Sequence, residues 1–129
     1  MRLMGQRFTN GIYFYAEAGG GTILVKDRMR GKLYVKVGSG PFIPIYNGAN
    51  HVTAQFNSDW QAIAAETILG VNKLCWFHIP TNSLYEWTLN SSWVFVSGGG
   101  AIGLFSPEAY ALEVAYQTDL NRDGIIGSP

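Results

Sequence analysis

The sequence predicts a mainly β domain of the α+β class, built from two pseudo-repeated antiparallel β-meanders that share one core. The first observation behind this prediction is composition, since 14% of the 129 residues are aromatic and sixteen are glycine. Aromatic and β-branched residues favour strands, whereas glycine favours the turns between them. The second observation is an internal repeat. The third is a helix signal near the C-terminal end, followed by a loop rich in oxygen-bearing side chains.

The first half of the chain, about residues 11–56, predicts a series of short strands. Apolar, β-branched or alternating segments are bounded by turn residues at positions 12–18, 23–25, 32–37, 41–46 and 51–56. The segment 41–46 contains Pro41 and Pro44, which cannot donate hydrogen bonds to a neighbouring strand. We therefore expect this segment at the edge of a sheet.

The second half, about residues 57–104, resembles the first. Ala16-Glu17 recurs as Ala65-Glu66 after 49 positions, and Leu33-Tyr34 recurs as Leu84-Tyr85 after 51 positions. Such spacing indicates two copies of one supersecondary unit.

The repeat decides an ambiguous segment around residues 60–68. Its apolar positions fit one face of a helix when the segment is considered alone. The repeat instead aligns residues 61–67 with the strand at 12–18, so we predict a strand. Further strands are predicted at 73–79, 84–89 and 93–96, followed by a glycine-rich connector at 97–103.

One helix is predicted after the second half. Ser106 can cap its first turn, Pro107 suits the first helical position, and Glu108 lies near the positive end of the helix dipole. We expect this helix to end near Tyr116 and to bury Leu112, Ala115 and Tyr116.

The segment after the helix predicts a calcium site. Asp119, Asn121 and Asp123 alternate with other residues, and Gly124 and Ile125 follow, as in the first half of an EF-hand loop. We expect Ca²⁺ to be bound by the side chains of Asp119, Asn121 and Asp123 and by the carbonyl of Ile125. The bidentate acid of position 12 would be residue 130, so water, Gln117, Glu113 or a neighbouring copy would complete the coordination. The alternative is an Asx-rich surface turn without a metal.

These elements predict one domain over residues 1–127. It would contain the two halves, 11–56 and 57–104, and the helix with its calcium loop, 106–127. The formal net charge is zero, with nine basic and nine acidic residues, and there is no basic stripe for nucleic acid. No apolar run approaches the roughly eighteen residues of a membrane helix. We therefore expect neither a nucleic-acid partner nor a membrane span.

No residue pattern indicates catalysis. His51 and His78 have no acid or second histidine at metal-ligand spacing, and Cys75 lies in an apolar run as a small buried side chain would. Glu17 and Glu66 are equivalent in the repeat, which favours a structural role such as accepting backbone N–H bonds. A glycosidase-like carboxylate pair is the weaker alternative. We expect a protein that is not an enzyme.

The aromatic residues leave two interpretations open. The tryptophans can form a core between the meanders; they are Trp60, Trp76, Trp87 and Trp93. Alternatively, Trp87 or Tyr85, together with Tyr34, can form an exposed platform on which a sugar stacks.

Several segments together resemble one bacterial family. They are Gly38-Ser39-Gly40-Pro41, Val52-Thr53-Ala54-Gln55-Phe56, Trp60 with Ile63-Ala64-Ala65-Glu66-Thr67, Tyr85, Trp87, Trp93 and the closing Asp-Leu-Asn-x-Asp-Gly-x-Ile-Gly. Over about residues 12–127, the chain resembles the tryptophan-rich C-terminal repeat domain of large secreted bacterial proteins from cyanobacteria and proteobacteria. Arg122 stands where that family commonly has glycine, at a position that does not bind the metal. The resemblance implies tandem copies, calcium dependence and no catalytic activity.

These inferences lead to one expected function and one alternative. We expect a calcium-stabilised structural or adhesive module that self-assembles with neighbouring copies or packs against cell-surface material. The expected location is extracellular or at the cell surface, reached without a cleaved N-terminal signal. The alternative is a carbohydrate-binding module with surface glycans as partners. Apolar contacts between copies would favour the first, and an exposed aromatic cleft would favour the second.

Overall fold

The computed structural model describes residues 13–17, 20–56 and 58–129. The ends of the predicted first strand, Ile12 and Ala18, lie outside the described residues. Within the described part the fold is mainly β with one C-terminal helix, as the composition and the repeat predict.

The first meander is a four-stranded antiparallel sheet in the order β1-β2-β3-β4. Its strands are β1 (Tyr13–Glu17), β2 (Thr22–Asp27), β3 (Leu33–Val37) and β4 (Phe42–Pro44). Leu33 and Val35 alternate with exposed or half-buried residues and are fully buried. The proline-containing β4 lies at an edge of this sheet, which confirms the prediction for that segment.

A small hairpin follows the first sheet and replaces part of a predicted strand. It pairs β5 (Tyr46–Asn47) with β6 (Asn50–His51). The strand predicted over 51–56 is wrong as a continuous element, because residues 52–54 separate β6 from β7 (Gln55–Phe56). The backbone there bonds to other segments: Val52 N–H donates to Ile45 O (2.9 Å) and Ala54 N–H donates to Gly31 O (2.7 Å).

The second meander is the larger antiparallel sheet, with the order β7-β8-β9-β10-β11 and a further strand β12 paired with β10. Its remaining strands are β8 (Trp60–Ile68), β9 (Val71–His78), β10 (Ser83–Leu89), β11 (Phe95–Gly98) and β12 (Ile102–Gly103). The strand that the repeat predicts at 61–67 is therefore confirmed against the local helical pattern.

The end of this sheet differs from its prediction. The strand expected at 93–96 begins at Phe95, because Trp93 has a left-handed backbone (φ 63°) and is buried within a turn. The Asn90 side chain holds that turn by accepting from Ser92 N–H (2.8 Å) and Val94 N–H (3.0 Å). The predicted connector 97–103 contributes the end of β11 and all of β12.

Two apolar clusters lie on opposite faces of the larger sheet. The first lies between the two meanders and includes Leu24, Leu33, Val35, Ala65, Leu74 and Trp76. This cluster confirms the prediction that the two meanders share one core. The second lies between the larger sheet and the helix and includes Cys75, Leu84, Ala109, Tyr116 and Leu120.

The helix α1 (Pro107–Tyr116) begins as its sequence predicts. Ser106 Oγ accepts from Ala109 N–H (3.1 Å), and Pro107 occupies the first turn. The predicted burial is only partly correct, since Tyr116 is fully buried while Leu112 and Ala115 are half-buried. The buried side chains of α1 are those of Ala109, Glu113 and Tyr116.

Glu66 connects the two meanders. Its Oε1 accepts from the Thr22 N–H (3.2 Å), and the residue is 8% exposed. The structural role expected for Glu66 is thus confirmed, whereas the Glu17 side chain lies outside the description. Gly20 approaches so closely that a Cβ there would collide with the Glu66 carboxylate and lie 3.2 Å from the Tyr116 carbonyl oxygen.

We predict that Gly20→Ala lowers the free energy of unfolding by about 1–3 kcal/mol, because the added methyl overpacks the Glu66 contact. The matched control is Gly100→Ala, whose Cβ would meet nothing within 4 Å. Removing glycine there should leave stability unchanged or raise it by up to about 1 kcal/mol. Urea denaturation of the three proteins measures the difference, and equal stability of both variants would contradict the packing argument.

Candidate functional site

The segment after α1 folds back against the helix and the larger sheet. Leu120 is buried in the cluster between them, and the Asn121 Nδ2 donates to the Leu104 carbonyl oxygen (2.9 Å). The helix ends at Tyr116, and its C-cap Gln117 has a left-handed backbone (φ 56°) that redirects the chain. These contacts fix the position of the loop predicted to bind calcium.

Glu113 holds this loop from inside. Its side chain is fully buried, and Oε2 accepts from the N–H groups of Leu120 (2.9 Å) and Asn121 (3.1 Å). Oε1 accepts from the Gly127 N–H (2.9 Å), at the other end of the loop. A buried carboxylate requires such donors, because an unpaired charge in the interior is costly. One side chain therefore ties both ends of the loop to α1.

Three acids of this region converge. Oxygen atoms of Glu113, Asp119 and Asp123 all lie within 4.8 Å of one another. Asp119 Oδ2 accepts from Gly124 N–H (2.8 Å), and Asp123 Oδ1 accepts from Ile125 N–H (2.9 Å). Asp119 Oδ1 is buried and has no hydrogen-bond partner in the described part of the chain. An oxygen of this kind, next to two further carboxylates, suits a hard cation.

The four predicted ligands occupy different positions around this cluster. Asp119 and Asp123 lie within it, whereas Asn121 has both amide atoms bonded to the protein, since its Oδ1 accepts from Asp123 N–H (3.1 Å). Ile125 follows Asp123 in the loop, and its side chain is exposed. Glu113, which the sequence analysis names with Gln117 as one of the groups that could complete the coordination, is the third member of the cluster. An acid on the buried face of the preceding helix is the signal that points to it.

A second candidate site is an aromatic cleft of about 480 Å³. One wall belongs to the larger sheet and presents Trp60, Trp76, Tyr85 and Trp87. The other wall belongs to the small hairpin and the residues after it, with Asn47, Asn50, His51 and Thr53 as its polar members. Gly98 and Gly99 lie at the end of β11 and complete the lining.

The rings of this cleft contact one another edge to face. Trp76 and Trp87 have centroids 5.2 Å apart, and Trp60 and Tyr85 have centroids 4.8 Å apart. This arrangement is the favourable one for aromatic quadrupoles, and it fixes the walls. Trp76 is 3% exposed, and its Nε1 has no hydrogen-bond partner among the described residues.

The core interpretation is confirmed for two of the four tryptophans. Trp76 and Trp93 are buried in the shared core, whereas Trp60 and Trp87 are half-buried at the cleft. Tyr34 is not among the residues that line the cleft. Its ring makes an edge contact with the ring of His51, which does line it (4.8 Å between centroids).

The histidines and the cysteine lie apart from the acid cluster. His51 Nε2 contacts the Leu33 carbonyl oxygen (2.8 Å), and His78 Nδ1 contacts Thr81 Oγ1 (2.7 Å). Cys75 is fully buried, and this burial, together with the nearby charge of Glu86, raises the pKa of its thiol far above the ordinary value. A thiol in that state is a poor nucleophile.

Fold and sites together define a tryptophan-rich β domain with an acidic C-terminal loop. A family model described as the tryptophan-rich Synechocystis species C-terminal domain matches residues 22–127, and the chain belongs to this family. No curated protein and no solved structure matches the chain. Within the described residues, none of the helical structure has the length and apolar character needed to span a membrane.

We predict that Glu113→Gln destabilises the protein by about 2 kcal/mol or more. Glutamine has one acceptor oxygen in place of two, and hydrogen bonds to charged groups contribute about 1.5–3 kcal/mol each. Glu108→Gln is the control, since Glu108 is exposed on the same helix and contributes at most about 1 kcal/mol through the helix dipole. The measurement is urea denaturation in the presence of a chelator. A similar loss in both variants would show that Glu113 does not organise the loop.

Proposed function

We propose that this chain is a calcium-stabilised structural or adhesive module of an extracellular or cell-surface protein. The observation that carries the proposal is the convergence of Glu113, Asp119 and Asp123 around a buried oxygen without a partner. Ca²⁺ takes six to eight oxygen ligands, and a carboxylate oxygen that accepts one N–H bond keeps a lone pair for the ion.

The ligand set would combine the cluster with the sequence pattern. Glu113, Asp119 and Asp123 would supply carboxylate oxygens, Ile125 its carbonyl, and water the remainder. Asn121, which the pattern includes as a ligand, accepts one bond from Asp123 N–H at its Oδ1, and this oxygen keeps a second lone pair for the ion. A site that depends on water should be weak, on the order of the 10⁻⁴–10⁻³ M of extracellular modules. Such affinity is useful only where calcium is plentiful, which supports an extracellular location.

The position of the cluster supports a structural role. Glu113 fastens both ends of the loop to α1, and α1 covers one face of the larger sheet. A cation at this point would hold the loop, the helix and the sheet together. No catalytic activity is proposed, because the buried Cys75 is protonated and neither histidine belongs to the cluster.

Exposed apolar side chains near the loop support packing against neighbouring copies. Val114 on the outer side of α1 is 60% exposed, and Ile126 in the loop is 51% exposed. Exposed apolar surface of this kind often marks an interaction site. The resemblance to large secreted proteins with tandem copies supports the same role and supports export without a cleaved N-terminal signal.

A carbohydrate-binding module is the second candidate function. The aromatic cleft favours it, because half-buried tryptophan and tyrosine rings provide flat apolar surfaces beside polar groups.

We expect calcium to raise the melting temperature of the wild-type chain. Binding to the folded state alone adds about 2.7 kcal/mol when calcium exceeds its dissociation constant a hundredfold, which corresponds to a shift of several degrees. Asp119→Asn combined with Asp123→Asn should abolish the shift while keeping acceptors for Gly124 and Ile125. Glu108→Gln, which removes an exposed acid outside the cluster, should retain it. Calorimetry with calcium and with chelator measures this, and the same melting temperature in both conditions would refute a calcium site.

We also expect self-association that depends on calcium and on the apolar residues near the loop. Val114→Ser combined with Ile126→Ser should abolish oligomers seen by sedimentation velocity in millimolar calcium. Met29→Ser is the control, because Met29 is 88% exposed but lies in a turn of the first sheet. A monomeric wild-type chain at high concentration in calcium would count against packing between copies.

A further inference from the structure

We infer that the aromatic cleft binds a short neutral saccharide, which stacks on the half-buried rings of Trp60, Tyr85 or Trp87. The inference gives the second candidate function a defined site and ligand chemistry, and it rests on that candidate. It does not depend on calcium, since the cleft and the acid cluster lie on opposite faces of the larger sheet.

The size and the walls of the cleft match a small amphipathic ligand. Its volume of about 480 Å³ falls within the range of small-molecule sites, about 300–1,000 Å³. The wall formed by the larger sheet is aromatic, while Asn47 and Asn50 on the facing wall are exposed amides. A pyranose has C–H faces that stack on aromatic rings and hydroxyl edges that bond to amides, so it matches both walls.

The charge of the cleft selects a neutral ligand. None of the described residues that line it is an aspartate, glutamate, lysine or arginine. A uronic acid, a sulfated sugar or a phosphate would therefore lose hydration without gaining a counter-charge, which is costly.

Trp76 lines the cleft but presents little surface to a ligand. It is 3% exposed, and its Nε1 is buried without an acceptor among the described residues. The rings that a ligand can reach are therefore those of Trp60, Tyr85 and Trp87, which are half-buried.

The glycine at position 98 keeps the edge of the Trp87 ring accessible at the rim of the cleft. A Cβ at Gly98 would lie 3.5 Å from Trp87 Cδ1 and 3.7 Å from Trp87 Nε1. Glycine thus leaves the edge of this indole uncovered at the end of β11, where a ligand ring can approach it.

The test uses the full chain in the presence of a chelator, so that its result is separate from the calcium experiment. The probes are neutral trisaccharides of glucose, mannose, galactose and N-acetylglucosamine, with trigalacturonate as the anionic comparison. Tryptophan fluorescence measures binding, and the four indole N–H signals in a ¹⁵N–¹H correlation spectrum identify the residue affected. At least one neutral probe should bind at millimolar concentration or below and shift the signal of Trp60 or Trp87.

Two neighbouring arginine substitutions locate the site. Asn50→Arg places a long charged side chain at the cleft and should weaken binding at least about tenfold. Ala49→Arg is the matched control, because Ala49 is exposed in the same hairpin but does not line the cleft. It should leave affinity unchanged.

Three outcomes would overturn the inference. No binding of any neutral probe would remove the carbohydrate function together with its site. Binding of trigalacturonate alone would keep a carbohydrate function but refute the neutral ligand. Equal affinity in the Asn50→Arg and Ala49→Arg variants, or unmoved signals of both Trp60 and Trp87, would place the sugar elsewhere.

Discussion

The buried carboxylate of Glu113 forms the hydrogen bonds on which the C-terminal helix and its loop depend. It accepts three backbone N–H bonds, from Leu120, Asn121 and Gly127, and these bonds offset the cost of burying its charge. Because Leu120 packs in the cluster between the helix and the larger sheet, the same bonds hold the loop against that cluster. They also bring the aspartates of the loop beside a third acid. The same three hydrogen bonds therefore stabilise the loop and determine the geometry of the acid cluster.

Strand β8 contains a bulge that changes which of its residues face each side of the larger sheet. Ala62 pairs with Trp76 and Ala64 pairs with Cys75, which leaves Ile63 unpaired between them. The extra residue changes the alternation, so that Ala62 and Ala65 both face the shared core while Ala64 faces the helix. Small side chains at these positions allow the first meander and the helix to approach opposite faces of one strand. A regular strand would have placed Ala62 and Ala65 on opposite faces.

The sequence predicts most of what depends on neighbours along the chain. The Ser106 cap and the proline edge are local signals, and the repeat of 49 positions agrees with the pairing of Glu17 with Leu24 and Glu66 with Lys73. The repeat of 51 positions agrees as well, because Leu33 pairs with Lys26 and Leu84 pairs with Phe77, which are also 51 positions apart. Strand β9 has eight residues and β2 has six, and this difference of two residues accounts for the two spacings. The sites could not be predicted in full, because Glu113 contacts Gly127 across the loop and the cleft joins two distant segments.

A physical connection between the two sites passes through strand β10. Its residues alternate, so that Tyr85 and Trp87 line the cleft while Leu84 packs toward the helix. Glu86 lies between them, and its Oε2 accepts from the hydroxyl of Tyr116 (2.8 Å), the last residue of α1. The helix that carries Glu113 is thus bonded to the strand that carries the cleft tryptophan. The proposed cation and the proposed saccharide would not touch each other, and the position of α1 on β10 is one route by which one site can affect the other. Linkage then requires the effect to be reciprocal, and its size is limited by how far the helix shifts when the loop is fixed.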